Sequence, residues 1–179
     1  MNLPGVSQVL RLAETESTQT LARALAEGGA PERTLVWADR QTAGRGRMKR
    51  RWKSPEGGLY FSLVLRPRFP PSRLAAFSLA TAEAIAKALE KLTRQPFAVK
   101  PPNDVYSAGW RPGKVCGILA EASGSPRKLD WLVVGVGVNV NARPRIGNAQ
   151  SLKNMTGKTW PVEGVLRAIL PVVGKTPSR

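Results

Sequence analysis

Trp131-Leu132-Val133-Val134-Gly135-Val136-Gly137-Val138-Asn139 is an apolar, valine-rich run broken only by two glycines. It lies within a longer strand-type segment, Leu129 to Asn141, and is apolar enough for the centre of a sheet. Working back along the chain, Lys114 to Glu121, Asn103 to Tyr106 and Phe97 to Lys100 also read as strands, separated by turns rich in Pro and Gly. Before them Leu74, Phe77, Thr81, Ile85, Ala88, Leu89 and Leu92 recur at helical spacing and predict a helix over 73–93. Leu59, Phe61, Leu63 and Leu65 alternate with Tyr60, Ser62 and Val64, the period of a strand packed on one face. Thr34 to Asp39 reads as a strand, and Val9 to Ala13 as a short extended start. Ser17 or Thr18 is placed to cap a helix that stops at Gly28-Gly29. Towards the other end, Val162 to Leu170 reads as a short helix before Pro171 and a polar tail.

This order predicts an α+β fold, a mixed and mostly antiparallel sheet with helices on one face, formed by a single domain over residues 1–179. The regular strand and helix alternation of a doubly wound fold is missing. So are the GxxxxGK[ST] and GxGxxG fingerprints of common nucleotide-binding proteins.

Composition narrows the chemistry. The 179 residues carry 28 Lys and Arg against 12 Asp and Glu, no histidine and a formal net charge of +16. With 42% hydrophobic residues this is a folded domain rather than a basic disordered tail. The absence of histidine excludes a Ser/His/Asp or Cys/His triad, a His-ligated zinc and a histidine proton shuttle. The single cysteine, Cys116, excludes an intrachain disulfide and fits a reducing compartment. With no signal-peptide core and no apolar run long enough for a bilayer, a cytoplasmic protein is expected.

Four segments are candidates for chemistry. In Gln41-Thr-Ala-Gly44-Arg45-Gly46-Arg47-Met48-Lys49-Arg50-Arg51-Trp52-Lys53, six of the nine positions 45–53 are basic. Like charges at that density repel, which predicts a disordered loop until an anion binds. The glycines allow successive amides to turn toward one anion, and arginine forks match phosphate or carboxylate. Lys100-Pro-Pro-Asn103-Asp104 sets a cation, an amide and a carboxylate at a strand end, although such residues also make ordinary turns. Lys114-Val-Cys-Gly117-Ile-Leu-Ala-Glu121 places a glycine inside an apolar strand, where something approaches the backbone closely. Cys116 reads as a core residue. The glycines of Gly135-Val-Gly137-Val-Asn139-Val-Asn141 fit close approach or sheet packing equally well.

Taken together with Glu16-Ser17-Thr18-Gln19, these segments resemble the biotin protein ligase family from about residue 14 to 141. The resemblance implies the class II synthetase-like catalytic domain of biotin and lipoate ligases. It implies that ATP and biotin, with Mg²⁺, give biotinyl-AMP and pyrophosphate, and that biotin then passes to a lysine of a biotin carboxyl carrier protein. A carboxylate with a pKa near ~4.3 is already ionised and needs no general base to attack phosphorus. What the step needs is charge neutralisation and alignment.

On the same resemblance, Ser17, Thr18, Gln41 and Gly44 bind the biotin head, with Gly117 and Gly135 letting strand backbone lie against it. Arg45, Arg47 and Lys114 meet the carboxylate and the α-phosphate. Arg50, Lys100 and Trp52 belong to the ATP site, Asn103 and Asn139 lie near adenine, and Asp104 lies near Mg²⁺ and is a candidate acceptor for the attacking lysine's proton. The sequence departs from the family at Lys49, where glycine is usual, and at Pro101, where tryptophan is usual. The segment 142–150 offers no aromatic to cover adenine. No winged helix is expected before the catalytic part, and no β-barrel after the abbreviated helix and tail of 161–179. Many relatives dimerise through a sheet edge, but no feature decides whether a homodimer forms here.

Two other readings stand beside the ligase. A lipoate-protein ligase or octanoyltransferase of the same superfamily would lack the Gly-Arg-Gly-Arg loop. A non-catalytic basic nucleic-acid-binding protein would show a steep salt dependence of affinity.

Overall fold

The structure is a computed structural model that describes residues 3–109, 112–142 and 147–175. In chain order it contains β1 (Gln8–Thr15), α1 (Thr18–Glu27), β2 (Thr34–Gln41), β3 (Leu59–Leu65), α2 (Leu74–Thr93), β4 (Phe97–Lys100), β5 (Asp104–Ser107), β6 (Lys114–Gly124), β7 (Leu129–Val138), α3 (Leu152–Thr156) and α4 (Val162–Ile169). One seven-stranded sheet runs in the order β1-β2-β3-β7-β6-β5-β4. The β1–β2 pair is parallel and every other pair is antiparallel. The sheet is therefore mixed and mostly antiparallel, as the element order predicts.

β7 is the middle strand, flanked by β3 and β6, and its side chains from Trp131 to Val138 are all buried. Alternation along the strands sends side chains to two different layers. Leu35, Trp37, Phe61, Leu63, Ile118, Leu132, Val134 and Val136 pack with Phe77, Ile85 and Leu89 of α2 and with Val165, Leu166 and Ile169 of α4. Their neighbours Val36, Val64, Trp131 and Val133 point the other way, onto Ala22 and Ala26 of α1.

Helices thus cover both faces, which corrects the expectation of helices on one face. The physical cause is the β1–α1–β2 crossover. Two neighbouring parallel strands must be joined across one face of the sheet, and α1 makes that crossing. The second layer also corrects the expectation for β3, whose seven residues are buried on both sides. Val64 meets α1, and the Tyr60 hydroxyl donates to the Pro55 carbonyl at 2.8 Å.

The predicted helix over 73–93 is α2, and Ser17 caps α1 by accepting from the Thr20 amide. α3 is a five-residue helix that the sequence pattern does not announce, begun by the Ser151 hydroxyl, which accepts from the Asn154 amide at 3.2 Å. Of the segment 142–150, residues 143–146 lie outside the described residues.

Leu132 is fully buried at the centre of β7. Leu132→Ala is expected to lower unfolding stability by about 2–5 kcal/mol in urea titration. Ala98→Ser on the exposed side of edge strand β4 is expected to stay within about 0.5 kcal/mol of the parent.

Candidate active site

α1 covers only half of its face of the sheet. Beyond Val133 the same face of β7 continues as Gly135 and Gly137. β6 presents Gly117 opposite Gly137 and Leu119 opposite Gly135, while β3 presents Ser62 opposite Gly135. The small residues Ser62, Gly117, Gly135 and Gly137 leave a cavity of about 210 Å³ on this face, bounded by the start of α1, the strands and the basic loop.

The α1 end of this cavity is a chain of hydrogen bonds. The Thr18 amide donates to Gln41 Oε1 at 2.8 Å, with the Thr18 hydroxyl 3.1 Å from the same oxygen. Ser62 Oγ stands 3.0 Å from Thr18 Oγ1 and donates to Gln19 Oε1 at 3.0 Å. Gln19 Nε2 then donates to the Val133 carbonyl, and Gln41 Nε2 to Ser54 Oγ at 2.8 Å. Gly135 gives Gln19 its room, since a Cβ there would meet Gln19 Oε1 at 2.4 Å. Ser17, Thr18, Gln19 and Ser62 are all buried, so this polar wall is held fixed.

The loop closes the other side, and it is folded as a hairpin rather than disordered. Gln41 N donates to Ser54 O at 3.1 Å, Trp52 N to Gly44 O at 2.8 Å and Gly46 N to Arg50 O at 2.8 Å. The charge repulsion that predicts disorder is relieved by protein oxygens: Arg45 pairs with Glu121 at 2.7 Å, and Arg47 Nη1 donates to Asn103 Oδ1 at 2.9 Å. At the hairpin tip Met48 and Lys49 take φ of 54° and 59°, the left-handed region. A glycine would adopt that conformation freely, whereas a lysine there costs about 1–2 kcal/mol.

Trp52 ties the loop to the sheet. Its indole lies on the Gly117–Gly137 pair so closely that a Cβ on Gly137 would stand 2.5 Å from Nε1, and one on Gly117 3.0 Å from the ring. Lys114 Nζ lies 5.3 Å from the Trp52 ring centroid and forms an ion pair with Asp104 at 2.7 Å. Behind Trp52 is a second cavity of about 220 Å³, lined also by Lys53, Lys114, Asn139 and Ala149. Trp52 and Lys114 form the partition between the two spaces.

Asn139 borders the second cavity while bracing the structure. Its Nδ2 donates to the carbonyls of Lys114 at 3.1 Å and Gln150 at 3.0 Å, and its Oδ1 is buried without a partner. Asn103 Nδ2 donates to Ile118 O at 2.8 Å, leaving its oxygen to Arg47. Asn141 exchanges hydrogen bonds with the backbone of Trp160 and so fixes the approach to α4.

Of the residues expected from sequence, Ser17, Thr18, Gln41, Arg45, Arg47, Arg50, Trp52, Asn103, Asp104, Lys114, Gly117 and Gly135 line the first cavity. Asn139 lines the second, and Gly44 lies in the hairpin. Lys100 is placed apart, its ammonium 5.7 Å from the Tyr106 ring centroid, and it lines neither space. Gln19, Ser62, Glu121 and Gly137 received no role from the sequence. A lone serine inside the apolar β3 run was the available signal for Ser62.

Cys116 faces the opposite layer, and burial pushes its thiol pKa well up, so it supplies no thiolate. Among the described residues, no group of three or more His, Cys, Asp or Glu side chains converges as a metal site.

Residues 12–139 match the biotin/lipoate A/B protein ligase family. The chain is 38% identical over 161 residues to the bifunctional ligase/repressor BirA of Bacillus subtilis, covering 86% of this chain and 49% of that protein. It is 37% identical over 174 residues to the biotin--[acetyl-CoA-carboxylase] ligase of Paracoccus denitrificans, covering 92% of this chain and 70% of that one. A biotin protein ligase from Aquifex aeolicus, solved with biotin and ATP, superposes with a TM-score of 0.78 at 39% identity over 93% of this chain and 68% of its own. The chain spans about half the length of the Bacillus relatives it matches.

Gly137→Ala is expected to lift Trp52 off the sheet, changing the near-ultraviolet circular dichroism by as much as Trp52→Ala does. The double variant is expected to differ little from either single one, because both break the same contact. Additive changes would show that Gly137 does not seat the indole.

Proposed function

The chain belongs to the biotin/lipoate A/B protein ligase family, and from that premise we propose that it activates biotin with ATP and transfers it to a lysine of a carboxylase's carrier domain. The observation that carries this reading is the pair of cavities meeting at Trp52 and Lys114. One has a fixed wall of donors and acceptors and the other a buried, unpaired acceptor at Asn139, as a two-part ligand joined near Lys114 requires. The Aquifex relative was solved with both halves of such a ligand, and the Paracoccus relative is named for acetyl-CoA carboxylase.

In the proposed mechanism the biotin ureido group meets Ser17, Thr18 and Gln41; the bonds between Thr18 and Gln41 hold those two in place, and Ser17 is fixed as the cap of α1. An octanoyl or lipoyl chain has no polar head to engage that wall. Biotin's carboxylate lies toward Lys114, Arg45 and Arg47. Its oxygen attacks the α-phosphorus, the bond to pyrophosphate breaks, and the cations stabilise the charge on both groups. The adenine amino group donates to Asn139 Oδ1 beside Trp52.

Asp104 supplies one carboxylate at the cavity wall. That fits a Mg²⁺ held mainly by the nucleotide's phosphates, where it would neutralise charge. In the second step the carrier lysine attacks the acyl carbon, the bond to AMP breaks, and Asp104 takes the proton of an amine with a pKa near ~10.4. The cytoplasm is the proposed location. It suits a lone buried thiol, and among the described residues no helix is long and apolar enough to cross a membrane.

Biotin-dependent exchange of labelled pyrophosphate into ATP tests the first step. Exchange is expected with biotin and not with lipoate; exchange with lipoate alone, or none, rejects the reading. Asp104→Ala is expected to slow single-turnover transfer from preformed biotinyl-AMP by about 100-fold. Full-rate transfer would remove Asp104 from that role.

A further inference from the structure

Glu121 projects from β6 on the same face as Gly117 and Leu119, beyond the floor of the first cavity, and reaches the loop from below. Its Oε1 lies 2.7 Å from Nη2 of Arg45, while its Oε2 is buried and has no hydrogen-bond partner. The side chain is 24% exposed, so the carboxylate is set against the sheet rather than swinging in solvent. Among the described residues it is the one carboxylate that pairs with a cation of the 45–53 loop. Between loop and strand lies a cavity of about 380 Å³ that Glu121 shares with Arg47, Lys49, Arg50 and Arg51.

We infer that Glu121 is a positioning residue that latches the loop shut through Arg45, and that the latch matters most after pyrophosphate has left. This rests on the function proposed above. While ATP is bound, phosphate charge draws the loop's cations inward. Departure of pyrophosphate removes most of that charge and restores their mutual repulsion, which must be offset by oxygens belonging to the protein. Glu121 is the charged one, and Asn103 holds Arg47 through a neutral amide. The latch therefore acts on retention of the acyl-adenylate, between the two chemical steps, more than on its formation.

The test uses the full chain and two readouts. Glu121→Gln keeps the shape and removes the charge. It is expected to change biotin-dependent pyrophosphate exchange less than twofold while releasing biotinyl-AMP about tenfold faster, with faster tryptic cleavage after Lys49, Arg50 and Arg51. The exchanged pair Arg45→Glu with Glu121→Arg is expected to recover protection from trypsin, though not catalysis, because the contact is rebuilt with reversed polarity. Equal tryptic cleavage of parent and Glu121→Gln, no recovery in the exchanged pair, or unchanged adenylate release would overturn the inference. If the parent shows no exchange with biotin, the functional reading fails by itself, and the tryptic readout still decides whether Glu121 latches the loop.

Discussion

A missing pair of side chains organises this molecule. Gly117 and Gly137 face each other across β6 and β7 on a surface that elsewhere carries Val133 and Trp131. The Trp52 indole lies directly on their backbones, at a distance where a Cβ on Gly137 does not fit and one on Gly117 would be tight. From that contact follows the course of the loop, because the hairpin from Gln41 to Ser54 must bring residue 52 down onto the sheet. The partition between the two cavities follows too, as does the position of Lys114 above the ring. On the other half of the same face α1 covers the strands, so its N-terminal residues stop where the glycine floor begins.

The positive charge is densest in one loop, whose nine positions 45–53 hold six of the 28 Lys and Arg, while the rest is spread over the chain. The pairs Arg11–Asp39, Arg40–Glu14, Arg23–Glu27 and Arg167–Glu163 are substantially exposed, and each is worth at most about 1 kcal/mol. They shape nothing near the cavities. The loop is held by backbone hydrogen bonds, by the seating of half-buried Trp52 and by the contacts of Arg45 with Glu121 and Arg47 with Asn103, against the cost of two left-handed residues at its tip. Its other cations are left to serve a ligand. A site assembled this way needs no histidine, since an ionised carboxylate and a phosphate ask for positioned cations rather than a base.

Much of the fold was legible because hydrophobic periodicity reports which side of an element is covered. α2 shows one apolar stripe, and β7 shows a run too apolar for any edge. What misled was β3, where Phe61 and Leu63 read as the inner face and Ser62 as the solvent side. Solvent is excluded there by α1 and by the loop, elements far away in sequence, and the serine became part of a buried network. That Lys100 lines neither cavity was hidden for a related reason. It leaves β4 beside the Asn103-Asp104 pair in sequence, yet its side chain runs back over Tyr106. The order of motifs along the chain was enough to suggest the family, because each motif carries its residue types at fixed spacing whatever the packing.

By itself, the sequence determined the seven strands and every helix but the short α3, the acid and base chemistry open to a chain without histidine, and the loop that gathers its cations. These are local properties, set by the spacing and chemistry of neighbouring residues. Only the tertiary structure decided that the two glycines form a seat for Trp52, that Glu121 answers Arg45 from 76 residues away, and that α1 lies on the face opposite α2. Each depends on strand register and on the crossover between β1 and β2, where one residue of shift would turn a side chain to the other face.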